Sequence, residues 1–176
     1  MDAALEEYLR GLVPVARERV VWPFAAFEAD VASYLTDRAP PTALVSSVRA
    51  VVRRGDAVLV FDDERGVTHA LPGGRREIGE PIEDALLREL AEETGCRVVG
   101  EPRLLGALHF HVLRSRTREE RYPHPDLLQA VFAVVTRDDP VEPADDPWVR
   151  APRFIALSDA RRSTLGACER VFLRLE

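Results

Sequence analysis

Gly74-Arg75-Arg76-Glu77-Ile78-Gly79-Glu80-Pro81-Ile82-Glu83-Asp84-Ala85-Leu86-Leu87-Arg88-Glu89-Leu90-Ala91-Glu92-Glu93-Thr94-Gly95-Cys96 is the stretch on which the reading of this chain turns. Pro81 suits a first helical turn and Gly95 suits the position just past a helix end, so a helix is predicted from about Pro81 to Thr94. On that helix Glu89, Glu92 and Glu93 are spaced i, i+3 and i+4 and share one face. At about 100° per residue the same arc contains Ile82, Ala85, Leu86 and Leu90, so acids interrupt the face that would be buried. Like charges at this spacing cost tenths of a kcal/mol per exposed pair, and partial burial adds a desolvation penalty. Arg88 is expected to neutralise one acid, not three. A hard divalent cation binds several carboxylate oxygens at once, and magnesium combines a few carboxylates with substrate phosphates. Glu80 and the backbone carbonyls of the Gly73-Gly74 loop lie just upstream and could complete such a site. Three glutamates alone are more often a solvated acidic face that only supports its helix.

The full pattern is more specific. It resembles the Nudix box: Gly, five residues, Glu, seven residues, then Arg-Glu-aliphatic-any-Glu-Glu-any-Gly-aliphatic. Seven fixed residues match, for a chance agreement on the order of 10⁻⁸ per starting position. Cys96 departs from the final aliphatic position, but it is small and apolar and can keep the packing role. The resemblance extends over about residues 44–160, with only the box sharply defined. It implies an α+β Nudix fold, an αβα sandwich around a mixed β-sheet, with the box as loop, helix and loop. It also implies that Glu89, Glu92 and Glu93 bind magnesium or manganese and orient or activate water. By the same resemblance, Glu80 is an auxiliary ligand or helix anchor, Gly74 offers its carbonyl to the metal, and Arg88 holds a glutamate by ion pairing. The general base varies in the family, and Glu119, Glu120 and Glu142 stay open beside the glutamates of the box.

The rest of the chain sets the surroundings. Its 176 residues, 46% hydrophobic and 31% charged, fit one soluble globular domain with a decorated terminus. All 24 basic residues are arginine, which excludes Schiff-base and P-loop lysine chemistry. A net charge of -6 argues against a nucleic-acid polymer as partner. There is no run of 18 apolar residues to span a membrane, and Asp2, Glu6 and Glu7 stand where a secretory signal would be basic; a cytoplasmic location is expected. Cys96 and Cys168 match no zinc spacing and read as buried thiols.

Residues 1–41 are expected to be an N-terminal helical extension and 42–176 the hydrolase domain. Leu5, Tyr8, Leu9, Leu12 and Ala16 recur at helical spacing, as do Phe24, Phe27, Val31, Tyr34 and Leu35, and Pro40-Pro41 closes the segment. These stripes should pack on the domain or on a second subunit, which leaves a homodimer open. Short strands are predicted at 44–52 and 57–61, paired as a hairpin, and at Val67–Leu71, Leu104–Leu113, Leu127–Val135 and Phe154–Leu157. A closing helix is predicted over Ser163–Leu175.

The loop Arg114 to Asp126 carries the candidate substrate-binding residues Arg116, Arg118, Arg121, Tyr122 and His124. Arginine grips phosphate through paired hydrogen bonds, and an aromatic ring offers a flat face to a base. A solvated loop is the competing account. His109 and His111 should point to one side of a strand, and Trp148 could stack on a base. The residues and the resemblance together point to metal-dependent cleavage of a pyrophosphate bond. The substrate would be a nucleoside diphosphate linked to another moiety, or a nucleoside triphosphate. A non-catalytic sensor of a nucleotide-like ligand is the alternative, disfavoured by the intact glutamates. A prenyl-diphosphate isomerase would need a nucleophilic cysteine, and Cys96 sits at a packing position.

Overall fold

In a computed structural model of the chain, residues 2–22, 26–115, 123–143 and 148–175 are described. The elements run α1 (Ala3–Leu9), β1 (Ala16–Trp22), β2 (Phe27–Leu35), β3 (Val45–Arg54), β4 (Ala57–Asp62), β5 (Thr68–His69), α2 (Ile82–Thr94), β6 (Val99–Arg114), β7 (Asp126–Val135), β8 (Arg150–Ala156), α3 (Leu157–Ala160) and α4 (Ala167–Arg170). A 3-10 turn, Phe172–Leu175, follows. The strands form one mixed sheet in the order β1-β2-β6-β7-β3-β4-β5, with β8 on β4. Only β3 and β7 run parallel among these pairs. The chain is thus an α+β protein with helices on both sheet faces.

Alternation along the strands separates the two cores. Val48, Ala50 and Val52 of β3 pack with Leu86 and Leu90 of α2 and with Leu5 and Tyr8 of α1. Val51 belongs to the opposite core, with Val131, Phe110, Cys168 and Phe172. Burial of Tyr8 pushes its phenol up to about 12. Both cysteines are buried, as expected.

The first third departs from the helical expectation. Among the described residues up to 41 only Ala3–Leu9 is helical, capped by the Asp2 carboxylate on Ala4 N–H at 2.8 Å. Residues 16–22 and 27–35 are instead an antiparallel pair, with Ala16 opposite Ser33 and Trp22 opposite Phe27. β2 then pairs with β6, which places this hairpin in the same sheet. The misreading has a physical cause. β2 alternates only from Phe27 to Val31, where Glu28 and Asp30 stand between apolar residues; from Val31 to Tyr34 it is buried on both faces, so the period of two is lost after five residues. β1 does alternate, but Glu18 occupies an inward position and masks the pattern. Phe24, one member of the expected stripe, lies outside the described residues.

Later expectations fare better. β3 and β4 form the predicted hairpin, α2 starts after Pro81, and Gly95 ends it in the left-handed conformation at φ +68°. The strand expected at Val67–Leu71 pairs only at Thr68–His69. Leu157, expected to end a strand, begins α3. The expected closing helix is interrupted: Gly166, extended at ψ 146°, delays α4 until Ala167, and a 3-10 turn replaces the rest.

Candidate active site on the glutamate helix

α2 supplies carboxylates and the segment before it supplies backbone. Residues 72–76 run beside the first half of β3: Ala50 N–H donates to Pro72 O and Val48 N–H to Gly74 O, both at 2.9 Å, and Arg76 N–H to Ser46 O at 3.0 Å. The two glycines are therefore wedged between sheet and helix. Gly73 has φ +131°, and a Cβ there would stand 2.3 Å from the Val48 carbonyl oxygen. A Cβ on Gly74 would stand 2.0 Å from Glu89 Oε2. At Gly73 the obstacle is backbone, so only glycine fits, whereas a side chain at Gly74 would require the Glu89 carboxylate to move.

Arg88 is the hub of the acids. Its Nε and Nη2 donate to the two oxygens of Glu80 at 2.8 and 2.9 Å, and Nη2 also donates to the Arg75 carbonyl at 3.0 Å. Its Nη1 donates to Glu89 at 2.8 Å and to Glu92 at 3.1 Å. The single charge of Arg88 can neutralise only one acid, but its planar fork has donors enough to hydrogen-bond three, Glu80, Glu89 and Glu92, because Glu80 approaches from the loop rather than from the helix. Glu93 is held differently, its Oε2 accepting from Gly73 N–H at 2.7 Å.

These contacts separate the carboxylates electrostatically. The Arg88 hydrogen bonds pull Glu80 down to about 2 against a smaller effect of burial. Burial pushes Glu89 up, and the neighbouring Glu92 adds to this; Arg88 and Arg49 oppose it without prevailing. The side chain of Glu89 is only 12% exposed, whereas that of Glu92 is 61% exposed.

The donor set suits a hard cation. It is all oxygen: the carboxylates of Glu80, Glu89, Glu92 and Glu93 and the Gly74 carbonyl. The missing Cβ of Gly74 lets the Glu89 carboxylate lie against that backbone. Among the described residues no three acids, histidines or cysteines surround one point as a closed metal shell. Three of the acids face Arg88 instead, and the fourth faces the Gly73 amide. The residues fit a hard cation by the chemistry of their oxygen donors, while the acids are turned toward Arg88 and the Gly73 amide rather than toward one point.

The other singled-out residues divide. Arg116, Arg118, Arg121, Tyr122, Glu119 and Glu120 lie outside the described residues. His124 is exposed just before β7. His109 and His111 share a side, and both meet Asp126 Oδ1, at 2.9 and 2.8 Å. With Arg17 and Asp30 they line a groove of about 380 Å³, and these bonds go to Asp126 rather than to the glutamates. Glu142 accepts from Ala151 N–H at 2.7 Å, and Trp148 is exposed.

Two residues at the site escaped the sequence reading. Arg49 donates through Nη1 to the Gly73 carbonyl and through Nε to Gln129 Oε1, the latter at 3.2 Å. The available signal was polarity out of place: Arg49 within Val45–Val52, and Gln129 within the apolar run Leu127–Val135.

The NUDIX domain model matches residues 43–175. The chain belongs to the Nudix family. An uncharacterized Nudix hydrolase of Bacillus subtilis, YvcI, is 35% identical over 69 residues, which is 39% of this chain and 43% of that protein. A Mycobacterium tuberculosis relative named as a mutator protein, MutT4, is 32% identical over 106 residues, 57% of this chain and 41% of its own length. The match thus spans less than half the length of either relative. Among solved structures, a MutT Nudix hydrolase from Burkholderia pseudomallei aligns with a TM-score of 0.55 at 22% identity, over 73% of this chain and 94% of its own. A mutant of the B. subtilis pyrophosphohydrolase BsRppH aligns with a TM-score of 0.54 at 21% identity, over 79% and 77%. At such identities the structural likeness establishes the Nudix fold alone.

Proposed function

We propose that this Nudix protein hydrolyses a phosphoanhydride bond, in a nucleoside diphosphate linked to another moiety or in a nucleoside triphosphate, with magnesium or manganese. The observation that carries this reading is the cluster of carboxylates on one helix face: Glu89 and Glu93, partly buried and set against the Gly73-Gly74 backbone, with the exposed Glu92 beside them. Family membership and the pyrophosphohydrolase among the structural neighbours support the reaction class.

In this reading Glu89, Glu92 and Glu93, with Glu80 and the Gly74 carbonyl, hold the cation. Bound there, it supplies positive charge that screens a polyanionic diphosphate and acidity that makes water nucleophilic near neutral pH. The chain's own groups do the rest. Arg88 keeps Glu80 and Glu89 in place through its fork. The Gly73 amide fixes Glu93. A glutamate takes the proton as water attacks phosphorus, and the phosphate on the far side of the anhydride oxygen leaves with that oxygen. Arg116, Arg118, Arg121, Tyr122 and His124 are proposed to recognise the group beyond the diphosphate, since the glutamate helix holds the diphosphate and says little about what is attached. Residues 1–41 are kept as an extension to the 42–176 hydrolase domain, small nucleotide-like molecules as its partners, and the cytoplasm as its location. Among the described residues no helix is long and apolar enough to cross a membrane.

The test is a panel of nucleoside triphosphates and nucleotide-linked diphosphates, assayed with magnesium or manganese and again after chelation. Phosphate or nucleotide release that needs the metal is expected. Full turnover in chelator would remove the metal from the reading. Binding without turnover on every compound would make the protein a sensor.

A further inference from the structure

Gly73 connects two sides of the molecule that the family's glutamate pattern does not connect. Its N–H donates to Glu93 on α2, and its carbonyl accepts from Arg49 on β3. Val48 and Ala50 point into the core beneath α2, whereas Val51 joins the opposite core, so alternation aims Arg49 away from the helix. Its side chain therefore reaches the Gly73 peptide from the far side of the sheet. Gln129, only 8% exposed on the adjacent strand β7, holds the guanidinium through Nε. A buried amide in an otherwise apolar central strand costs stability unless it is satisfied, and Arg49 is its visible partner.

The Gly73 N–H lies in the Pro72–Gly73 peptide plane, which Ala50 N–H and Glu93 hold, and its carbonyl lies in the Gly73–Gly74 plane, which Arg49 holds, so bonds to both planes restrain the φ and ψ of the glycine between them. Gly73 needs such restraint, because glycine alone fits there and glycine is the residue least fixed by its own sterics. We infer that Arg49 is a positioning residue of the site: anchored by Gln129, it holds the Gly73 carbonyl and so restrains the Gly73 dihedrals that set the direction of the Gly73 N–H, and that N–H in turn fixes the carboxylate of Glu93. Outer groups of this kind change metal affinity or activity by about 10–100-fold when removed. Arg49 is thus to Glu93 what Arg88 is to Glu80 and Glu89, but it acts through the main chain.

The role of Glu93 as a ligand rests on the proposed function; the clamp on Gly73 does not, and the experiment separates them. Arg49→Met, Arg49→Lys and Gln129→Leu are compared with the wild type in three measurements. Hydrogen exchange at the Gly73 amide needs neither metal nor substrate. Mn²⁺ binding is read by water-proton relaxation without substrate. Turnover is resolved into kcat and KM. Arg49→Met should speed Gly73 exchange about tenfold or more, weaken Mn²⁺ binding by roughly 10–100-fold and lower kcat similarly, with KM within about twofold. Arg49→Lys should recover part of each effect, and Gln129→Leu should show a smaller change in the same direction. Unchanged Gly73 exchange in Arg49→Met overturns the inference, and so does a change confined to KM, which would make Arg49 a substrate contact. If Arg49→Met does not fold, the same criteria apply to Arg49→Lys and Gln129→Leu. A wild type that binds no Mn²⁺ and cleaves nothing would end the hydrolase reading, while faster Gly73 exchange in the variants would still show the clamp.

Discussion

Two charged clusters in this Nudix protein look alike as lists of residues and differ in how their charges are met. On α2, Glu80, Glu89 and Glu92 share Arg88, and Glu93 has the Gly73 amide. Near β5 and α4, Asp63, His69 and Glu169 meet with Arg65. There Asp63 accepts from Arg65 N–H and Val67 N–H, both at 2.9 Å, and from the Arg65 guanidinium at 2.7 Å. Glu169 accepts from His69 Nδ1 at 2.8 Å and Ala70 N–H at 3.1 Å. Burial would raise Asp63, but the Val67 and Arg65 donors hold it below the ordinary carboxylate range. The second cluster satisfies each acid and ties α4 to the β5 edge. The first leaves Glu89 pushed up by burial among surplus negative charge. Perturbation without full compensation supports the proposed role of α2 and leaves the second cluster as a structural tie.

The sharpest way to break this contrast is Glu93→Gln. The amide keeps the shape and still accepts from Gly73, but removes a charge. Turnover should fall roughly 100-fold or more, the equivalent of about 3 kcal/mol of transition-state stabilisation. The melting temperature should hold or rise slightly, since repulsion along α2 eases. Unchanged turnover with a lower melting temperature would make the two clusters the same kind of thing.

Gly74→Ala probes the same site without altering its charge. The new methyl would collide with the Glu89 carboxylate, which must then leave its place against the loop. Turnover should drop about 10–100-fold. Glu89→Asp, being one methylene shorter, should tolerate the alanine better. If Gly74→Ala alone is fully active, the close approach of Glu89 has no bearing on catalysis.

His69→Gln addresses the satisfied cluster and should move stability rather than turnover. Burial works against the His69 imidazolium, but the bond to Glu169 and the charges of Glu169 and Asp63 outweigh it, so its pKa lies above the ordinary histidine value. With the folded pKa above the unfolded value of about 6.5, this stabilisation is complete below the latter and is lost as pH rises through the former. The variant should therefore melt a few degrees below wild type at about pH 6, with the gap closing toward about pH 9. A gap independent of pH would mean that the histidine contributes only packing, including its stacking on Phe61 at 5.6 Å.

The contrast also explains what could be read from the sequence. α2 and its acids were legible because every decisive residue lies within Gly74–Cys96, where spacing alone fixes the geometry. The β3–β4 hairpin was legible for the same local reason. Arg49 and Gln129 were not, because their meaning depends on strands 80 residues apart lying side by side. The strand pair 16–22 and 27–35 was misread because the alternation of each strand is cut short, in β1 by the inward Glu18 and in β2 by burial of both faces after Val31. Nor was the reach of Arg88 legible, since Glu80 meets it from a loop whose path the sequence does not dictate.

Glu18 of β1 accepts from the N–H groups of Ala167 at 3.0 Å and Cys168 at 3.3 Å, and Ser33 Oγ donates to the Cys168 carbonyl at 2.9 Å. The partners in the first of these bonds are 149 residues apart. As the polypeptide emerges from a ribosome at about 5–20 residues per second, β1 must wait on the order of ten seconds for α4 to be made. During that interval the inward Glu18 and the apolar side chains of Val20, Trp22 and Phe27 have no α4 to face. β1 and β2 are thus made well before the segment that covers them, and a nascent chain stalled before residue 166 would leave them exposed to chaperones and proteases.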